Sequence, residues 1–199
     1  MNLAPSPWLH LGLLLTMLAG GGTACQSDGY RSGVFDPPRQ APDFVLEGSH
    51  GSPIKLSSYR GKVVAVAFGF SYCPRICPVT LSRLAEVKQN LGTLASDLEV
   101  VFITVDPERD TPGRLREFLG FFNADFRGAT GDPSKLDALQ EAYGVIAKRV
   151  SSEDKKLKYE VHHSTSIYLI DKQGTLRLLV PFGEPAADIL HDVKRLLDA

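Results

Sequence analysis

Cys73 and Cys77 stand four residues apart in the segment Tyr72-Cys73-Pro74-Arg75-Ile76-Cys77-Pro78. A β-rich run ending at Phe70 gives way here to a helical pattern beginning near Pro78. If the intervening turn is already helical, this spacing puts both sulfurs on one face of it. The C-terminal end of a strand and the N-terminal end of a helix meet at this point, and the backbone partial charge there favours thiolate over thiol. Thiolate is the species that both metal coordination and disulfide exchange require. The bland alternative is a pair of buried thiols or an inert disulfide. Pro74 and Pro78 speak against it, because each restricts the residue before it and stiffens the turn.

Two soft ligands leave a metal site incomplete, so the histidines matter; the chain has five. His10 falls in the N-terminal apolar segment, His50 in a predicted hairpin and His191 in the closing helix, where solvated surface positions suffice to explain them. His162 and His163 immediately precede the predicted strand Ser166 to Ile170. Its edge lies beside the cysteine turn, at the C-terminal ends of the central strands, where ligands of open α/β sheets collect. Only one of two adjacent residues in extended chain can readily point at the site. A Cys2His set is soft, carries two negative charges and leaves room for one exchangeable ligand. It suits trigonal Cu(I), tolerates Cu(II) and would accept zinc, although structural zinc sites usually show four protein ligands and no fourth is evident.

These residues need a frame, and the pattern of the chain supplies one. Residues 42–46 and 53–56 are two short extended pieces around His50-Gly51, predicting an N-terminal hairpin. Lys62 to Phe70 and Leu98 to Val105 are continuous apolar runs of the kind found in strands buried on both faces. Between them, Val79, Leu81, Leu84, Val87, Leu91 and Leu94 recur at helical spacing. Thr111-Pro112 opens a second helix running to about Phe122. A short strand near Phe126 to Thr130, a helix from Pro133 to Ala142 and a polar excursion from Arg149 to Glu160 follow. Ser166 to Ile170 and Leu176 to Val180 then flank the turn Asp171-Lys172-Gln173-Gly174, a hairpin signal, and Pro185 to Leu197 closes the chain as an amphipathic helix. This is an α/β order of thioredoxin-like type, a central mixed sheet flanked by helices.

Composition narrows the function classes. The 199 residues are 43% hydrophobic and 23% charged, which excludes disorder and a polytopic membrane protein. Lys and Arg total 22 against 23 Asp and Glu, and the only charged side chain among residues 1–30 is Asp28, so residues 31–199 are formally neutral. No basic surplus exists to engage nucleic acid. Leu9 to Ala19 is an apolar run too short for a comfortable membrane helix, and small residues follow it, as in an export signal. Gly22-Thr23-Ala24-Cys25 resembles a bacterial lipobox. The expected organisation is therefore a signal over residues 1–24, a tether over residues 25–41 opened by a lipidated Cys25, with an uncleaved anchor or a plain secretory signal as the alternatives, and one domain over residues 42–199. That domain would be extracytoplasmic and held to the membrane by its end, on the periplasmic face in a Gram-negative source. Such a location makes copper the more natural metal.

Three segments, in order, carry a family resemblance: Tyr72 to Pro78; Val105-Asp106-Pro107-Glu108-Arg109-Asp110-Thr111-Pro112; and His163-Ser164-Thr165 with Tyr168-Leu169-Ile170-Asp171. The chain resembles the Sco/SenC family of copper metallochaperones over about Pro42 to Leu197. The resemblance implies a thioredoxin-like fold with an inserted β-hairpin and a copper site made by Cys73, Cys77 and His163. It also implies delivery of copper to the binuclear copper centre of cytochrome c oxidase, or reduction of that centre's cysteines. Arg75 and His162 stand where family members usually carry Asp. Both changes are expected to lower the thiol pKa and weaken the negative potential that holds a cation, altering copper affinity or partner choice. The loop from Asp106 to Thr111 has two readings. It is either simple turn and cap chemistry, or support for the site and partner docking through Asp106, Arg109 and Asp110.

An enzyme reading competes: a thiol–disulfide oxidoreductase with Cys73 as nucleophile and Cys77 as resolving thiol. Ordinary members of that group use CxxC and place proline before the facing strand, where this chain has Ser164-Thr165. Peroxide reduction would need Ser or Thr three residues before the reactive cysteine, and Phe70 stands there.

Overall fold

The structure, a computed structural model, describes Met1, residues 29–151 and residues 158–199. The predicted signal and the lipid-attachment residue Cys25 lie outside the described residues. Among the described residues no helix is long and apolar enough to cross a membrane.

The centre of the molecule is a pair of parallel strands, β4 (Val63–Gly69) and β5 (Leu98–Thr104), in which every residue is buried. Their unbroken apolar sequence follows from burial on both faces by helices. The eight-stranded sheet has the order β1-β10-β9-β4-β5-β6-β2-β3. It is completed by β1 (Gly33–Gln40), β2 (Val45–Gly48), β3 (Ile54–Lys55), β6 (Arg127–Thr130), β9 (Ile167–Ile170) and β10 (Thr175–Val180). β4, β5 and β6 are parallel and the other neighbours antiparallel, so the sheet is mixed. The helices are α1 (Ile76–Asn90), α2 (Pro112–Gly120), α3 (Pro133–Tyr143) and α4 (Ala186–Asp198). The Thr111 hydroxyl caps α2 by accepting the Arg114 N–H at 3.2 Å, as its position before Pro112 predicts. The predicted thioredoxin-like α/β fold with its N-terminal hairpin is the fold observed.

Three boundaries differ from the sequence reading. Gly33–Gln40, read as tether, is β1, antiparallel to β10 with a register shift between Val34 and Arg39. Its Pro37-Pro38 hides the strand from sequence, but proline is tolerated at a sheet edge, where no ladder partner is lost. Residues Arg31 and Ser32 are also docked: their N–H groups donate to the buried Asp192 carboxylate of α4 at 2.9 and 2.8 Å. The domain therefore begins well before residue 42. Second, α1 starts at Ile76 rather than Pro78; proline is accommodated within the first turn, where N–H groups have no intrahelical partner. Third, the two ends of the polar excursion lie in paired strands, the inserted hairpin. β7 (Ala147–Val150) pairs antiparallel with β8 (Glu160–His163) as a separate two-stranded sheet. It covers little of the core, so its sequence lacks apolar alternation.

Candidate metal centre

The site sits where β4 ends and α1 begins. The Cys73 N–H donates to the Phe70 carbonyl at 3.2 Å, closing the turn. The helix start at Arg75 has no conventional side-chain cap. Cys73 Sγ takes that part by accepting the Cys77 N–H at 3.4 Å. Cys77, in the first turn of α1, is folded back over β4. There Gly69 is indispensable: a Cβ at that position would stand 2.6 Å from Cys77 Sγ and 2.7 Å from the Phe102 ring. Both cysteines are buried free thiols.

His163 arrives from the other sheet, at the end of β8, where it pairs with Ala147. Its ring stands edge-on to Phe70, with centroids 5.7 Å apart. Nδ1 contacts the Ser164 carbonyl oxygen at 2.6 Å and so carries the proton. This turns Nε2, 3.7 Å from Cys77 Sγ, toward the thiols as the atom available to a metal. Ser164 is fixed in turn: its N–H donates to the Ile146 carbonyl at 2.8 Å and its hydroxyl accepts the Ile146 N–H at 3.0 Å. The two sulfurs and one nitrogen of Cys73, Cys77 and His163 all lie within 4.8 Å of one another. His162, the other candidate, is exposed and paired opposite Lys148. Alternation along the strand separates the two histidines, one toward the thiols and one to the rim.

The two thiols differ sharply. Cys73 is pulled down to about 4, chiefly by the hydrogen bond from the Cys77 thiol, opposed by burial and reinforced by His163 and by the N–H groups of Cys77 and Arg75. The same hydrogen bond, burial and the Cys73 charge push Cys77 well above the ordinary thiol value. The pair holds one proton between them, with Cys73 the thiolate.

The loop after β5 supports this turn from behind. Asp110 is fully buried and accepts the Ser71 N–H at 3.0 Å, the Ser71 hydroxyl at 2.6 Å and the Thr104 hydroxyl at 2.7 Å. Burial raises its pKa, against those hydrogen bonds. Asp106, also fully buried, accepts from the Tyr159 hydroxyl at 2.6 Å and from Arg109. The Arg109 guanidinium lies 5.6 Å from the Phe70 ring centroid and 4.0 Å from that of Tyr159. Asp110 thus props the cysteine turn, while Asp106 and Arg109 join that turn to the foot of the inserted hairpin. A cavity of about 410 Å³ opens beside Cys73, walled by Tyr72, Arg109, Tyr159 and His162, with exposed Arg75 on its rim.

Sequence reasoning missed Gly69, Ser71 and Tyr159. Gly69 breaks an otherwise apolar β run, which is the usual sign of a close approach to the backbone. Nothing in the polar stretch around Tyr159 distinguishes it in advance.

Known proteins share both sequence and architecture. The chain is 36% identical over 132 residues to a SCO2-like protein of Rickettsia felis; the match takes in 66% of this chain and 64% of that protein, under two thirds of the relative's length. It is 30% identical to the mitochondrial SCO2 homolog of Bos taurus, covering 97% of this chain and 77% of that one. The structure of Bradyrhizobium japonicum ScoI with copper bound superposes with a TM-score of 0.73 at 32% identity, covering 79% of this chain and 99% of that chain. The SCO1/SenC family model matches residues 35–198. With that match spanning β1 to α4, the chain belongs to the SCO1/SenC family.

Proposed function

We propose that this chain is a copper-binding metallochaperone, binding copper as cargo through Cys73, Cys77 and His163. It delivers copper to the binuclear copper centre of cytochrome c oxidase or another cuproprotein, or keeps that centre's cysteines reduced. One observation carries the reading: two buried sulfurs and the Nε2 of an imidazole oriented by the Ser164 carbonyl converge within 4.8 Å. Two soft anionic donors and one borderline nitrogen fit Cu(I) and accommodate Cu(II). The bound ion would supply a thiolate-stabilised soft centre, and the chain's own residues prepare it. Cys73 is already ionised, Cys77 gives up the shared proton, and Ser164 holds His163 in its coordinating tautomer. The copper-bound B. japonicum ScoI and the family membership support the assignment. The proposed location is extracytoplasmic, with the domain tethered through a lipid on Cys25.

Anaerobic competition titration of the reduced protein with Cu(I), alongside Cys73→Ser, Cys77→Ser and His163→Ala, tests this. Tight one-to-one binding weakened in all three variants is expected. Undiminished binding in His163→Ala would remove the histidine from the site.

The low-pKa Cys73 beside a protonated Cys77 also favours a second reading, the thiol–disulfide oxidoreductase, with Cys73 attacking and Cys77 resolving. Disulfide reduction abolished by Cys73→Ser but indifferent to His163→Ala would support it. The two activities exclude each other at any instant, because sulfurs joined to one another cannot hold the metal.

A further inference from the structure

The residues just before β1 fix where the tether joins the domain. Asp192 of α4 takes the N–H groups of Arg31 and Ser32, Asp188 pairs with the Arg31 side chain, and His191 Nδ1 lies 3.0 Å from Asp192. Further toward the N-terminus, the Tyr30 ring lies 5.4 Å from the Arg195 guanidinium and 5.9 Å from that of Arg177. A Cβ on Gly29 would stand 3.3 Å from the Arg195 guanidinium carbon. From Ser32 back to Gly29 the chain thus runs along α4 toward its C-terminal end.

That end of the domain lies opposite the metal centre. Lys172, in the β9–β10 turn, donates to the Leu197 carbonyl at 2.8 Å, and the Gly61 N–H donates to the Lys172 carbonyl at 2.9 Å just before β4 begins. The Arg60 guanidinium covers Gly174 in the same turn. Arg60, Lys172 and Arg195 therefore gather where β4 starts, with exposed Lys194 beside them on α4. The cysteines lie beyond Gly69 at the far end of β4, about 20 Å away at strand rise. Of the acids at this end, Asp171 is engaged by Arg177 and Glu99 by Lys62 and Arg127, while Asp198 at the end of α4 offsets one of the four cations.

We propose that this basic end rests on anionic lipid headgroups and holds the metal centre up, away from the bilayer. This rests on the tethered location proposed above. From Cys25 to Gly29 the chain spans at most about 14 Å, so a lipid on Cys25 brings the Gly29 end to the headgroups. The cations there meet a negative surface, while the cavity beside Cys73 faces a partner whose acceptor site stands clear of the membrane.

The test uses the full chain, isolated from membranes, in nanodiscs of equal parts phosphatidylglycerol and phosphatidylcholine carrying a gadolinium-chelate lipid. Amide relaxation at Gly61, Gln173 and Asp198 is expected to be enhanced several-fold over that at Tyr72, Arg75 and His162. Arg60→Glu with Lys194→Glu is expected to remove most of that contrast while leaving copper binding unchanged. A uniform or reversed gradient, or full contrast in the double variant, overturns the proposal. If mass spectrometry shows no lipid on Cys25, the tether reading fails separately, and the basic end is then read by cosedimentation. Preference for phosphatidylglycerol over phosphatidylcholine vesicles, weakened by the double variant, supports it; no preference overturns it.

Discussion

The backbone N–H of Cys77 donates to the sulfur of Cys73 at 3.4 Å, so the first cysteine caps the helix that carries the second. Ligand geometry and helix initiation are one structure here. Reordering the turn cannot move one sulfur without disturbing the other.

Cys73 should be the reactive thiol over a wide pH range. Its pKa of about 4 predicts an alkylation rate with iodoacetamide whose midpoint lies far below the ordinary thiol value, with Cys77 modified more slowly. Cys77→Ser replaces the thiol donor that is the leading cause of the shift and should alter that midpoint. Because the folded pKa is depressed, the thiolate's contribution to stability is complete above the unfolded value of 9.0 and is lost as pH falls through about 4. Urea unfolding of the reduced protein between pH 4 and pH 9, with Cys73→Ser as the flat control for this contribution, checks the sign.

Gly69→Ala should damage the site without touching a ligand. Its Cβ would stand 2.6 Å from Cys77 Sγ and 2.7 Å from Phe102, both packed in the core. Overpacking of this kind costs about 1–3 kcal/mol. Unfolding should show that loss, and the Cu(I) titration a weaker complex. Unaltered affinity would mean that Cys77 has room to move.

The two adjacent histidines should separate cleanly. His163→Ala removes a donor atom and should lower Cu(I) affinity beyond the roughly 10–100-fold typical of changes behind the ligands. His162→Ala, at an exposed position, should leave affinity within about threefold, the scale of a weak exposed charge effect. Equal losses in both would show that the strand presents either ring.

Asp110→Ala strands the Ser71 N–H and two hydroxyls that now share one buried carboxylate. Each unsatisfied buried group costs about 1–3 kcal/mol, so a clear fall in stability is expected, together with about tenfold weaker copper binding from a loosened turn. Asp110→Asn, which keeps one acceptor, should recover part of both, measured by denaturant unfolding and by titration.

Arg75→Asp with His162→Asp restores acids on the rim of the metal cavity. Both positions are exposed, so Cu(I) affinity should rise by only about two- to fivefold at low salt and less at 0.15 M. An unchanged value at low salt would dissociate these two residues from metal affinity.

The central fold and the ligand set were legible because each rests on a strong local signal. β4 and β5 are uninterrupted apolar runs, and Cys73 and Cys77 lie on either side of a helix start. His163 came from topology, since only the placement of β9 beside β4 brings it near the thiols. β1 was hidden because an edge strand needs no apolar alternation and tolerates Pro37-Pro38. The β7–β8 hairpin was hidden for a related reason: it builds little core. The roles of Asp106 and Asp110 lay open between turn chemistry and support of the site; in the structure one loop carries both carboxylates, hydrogen-bonded to Tyr159 and to Ser71. No local pattern distinguishes a carboxylate that turns the chain from one that also reaches Ser71 or Tyr159.

The docking of Arg31 and Ser32 onto Asp192 also decides how this domain can be trimmed. A protein begun at residue 42 would strip β1 from β10 and leave a carboxylate buried under α4 without its two amide donors. The bared backbone of β10 would become a template on which other chains could add strands. The unassuming residues ahead of the first recognisable motif therefore act as a guard against self-association.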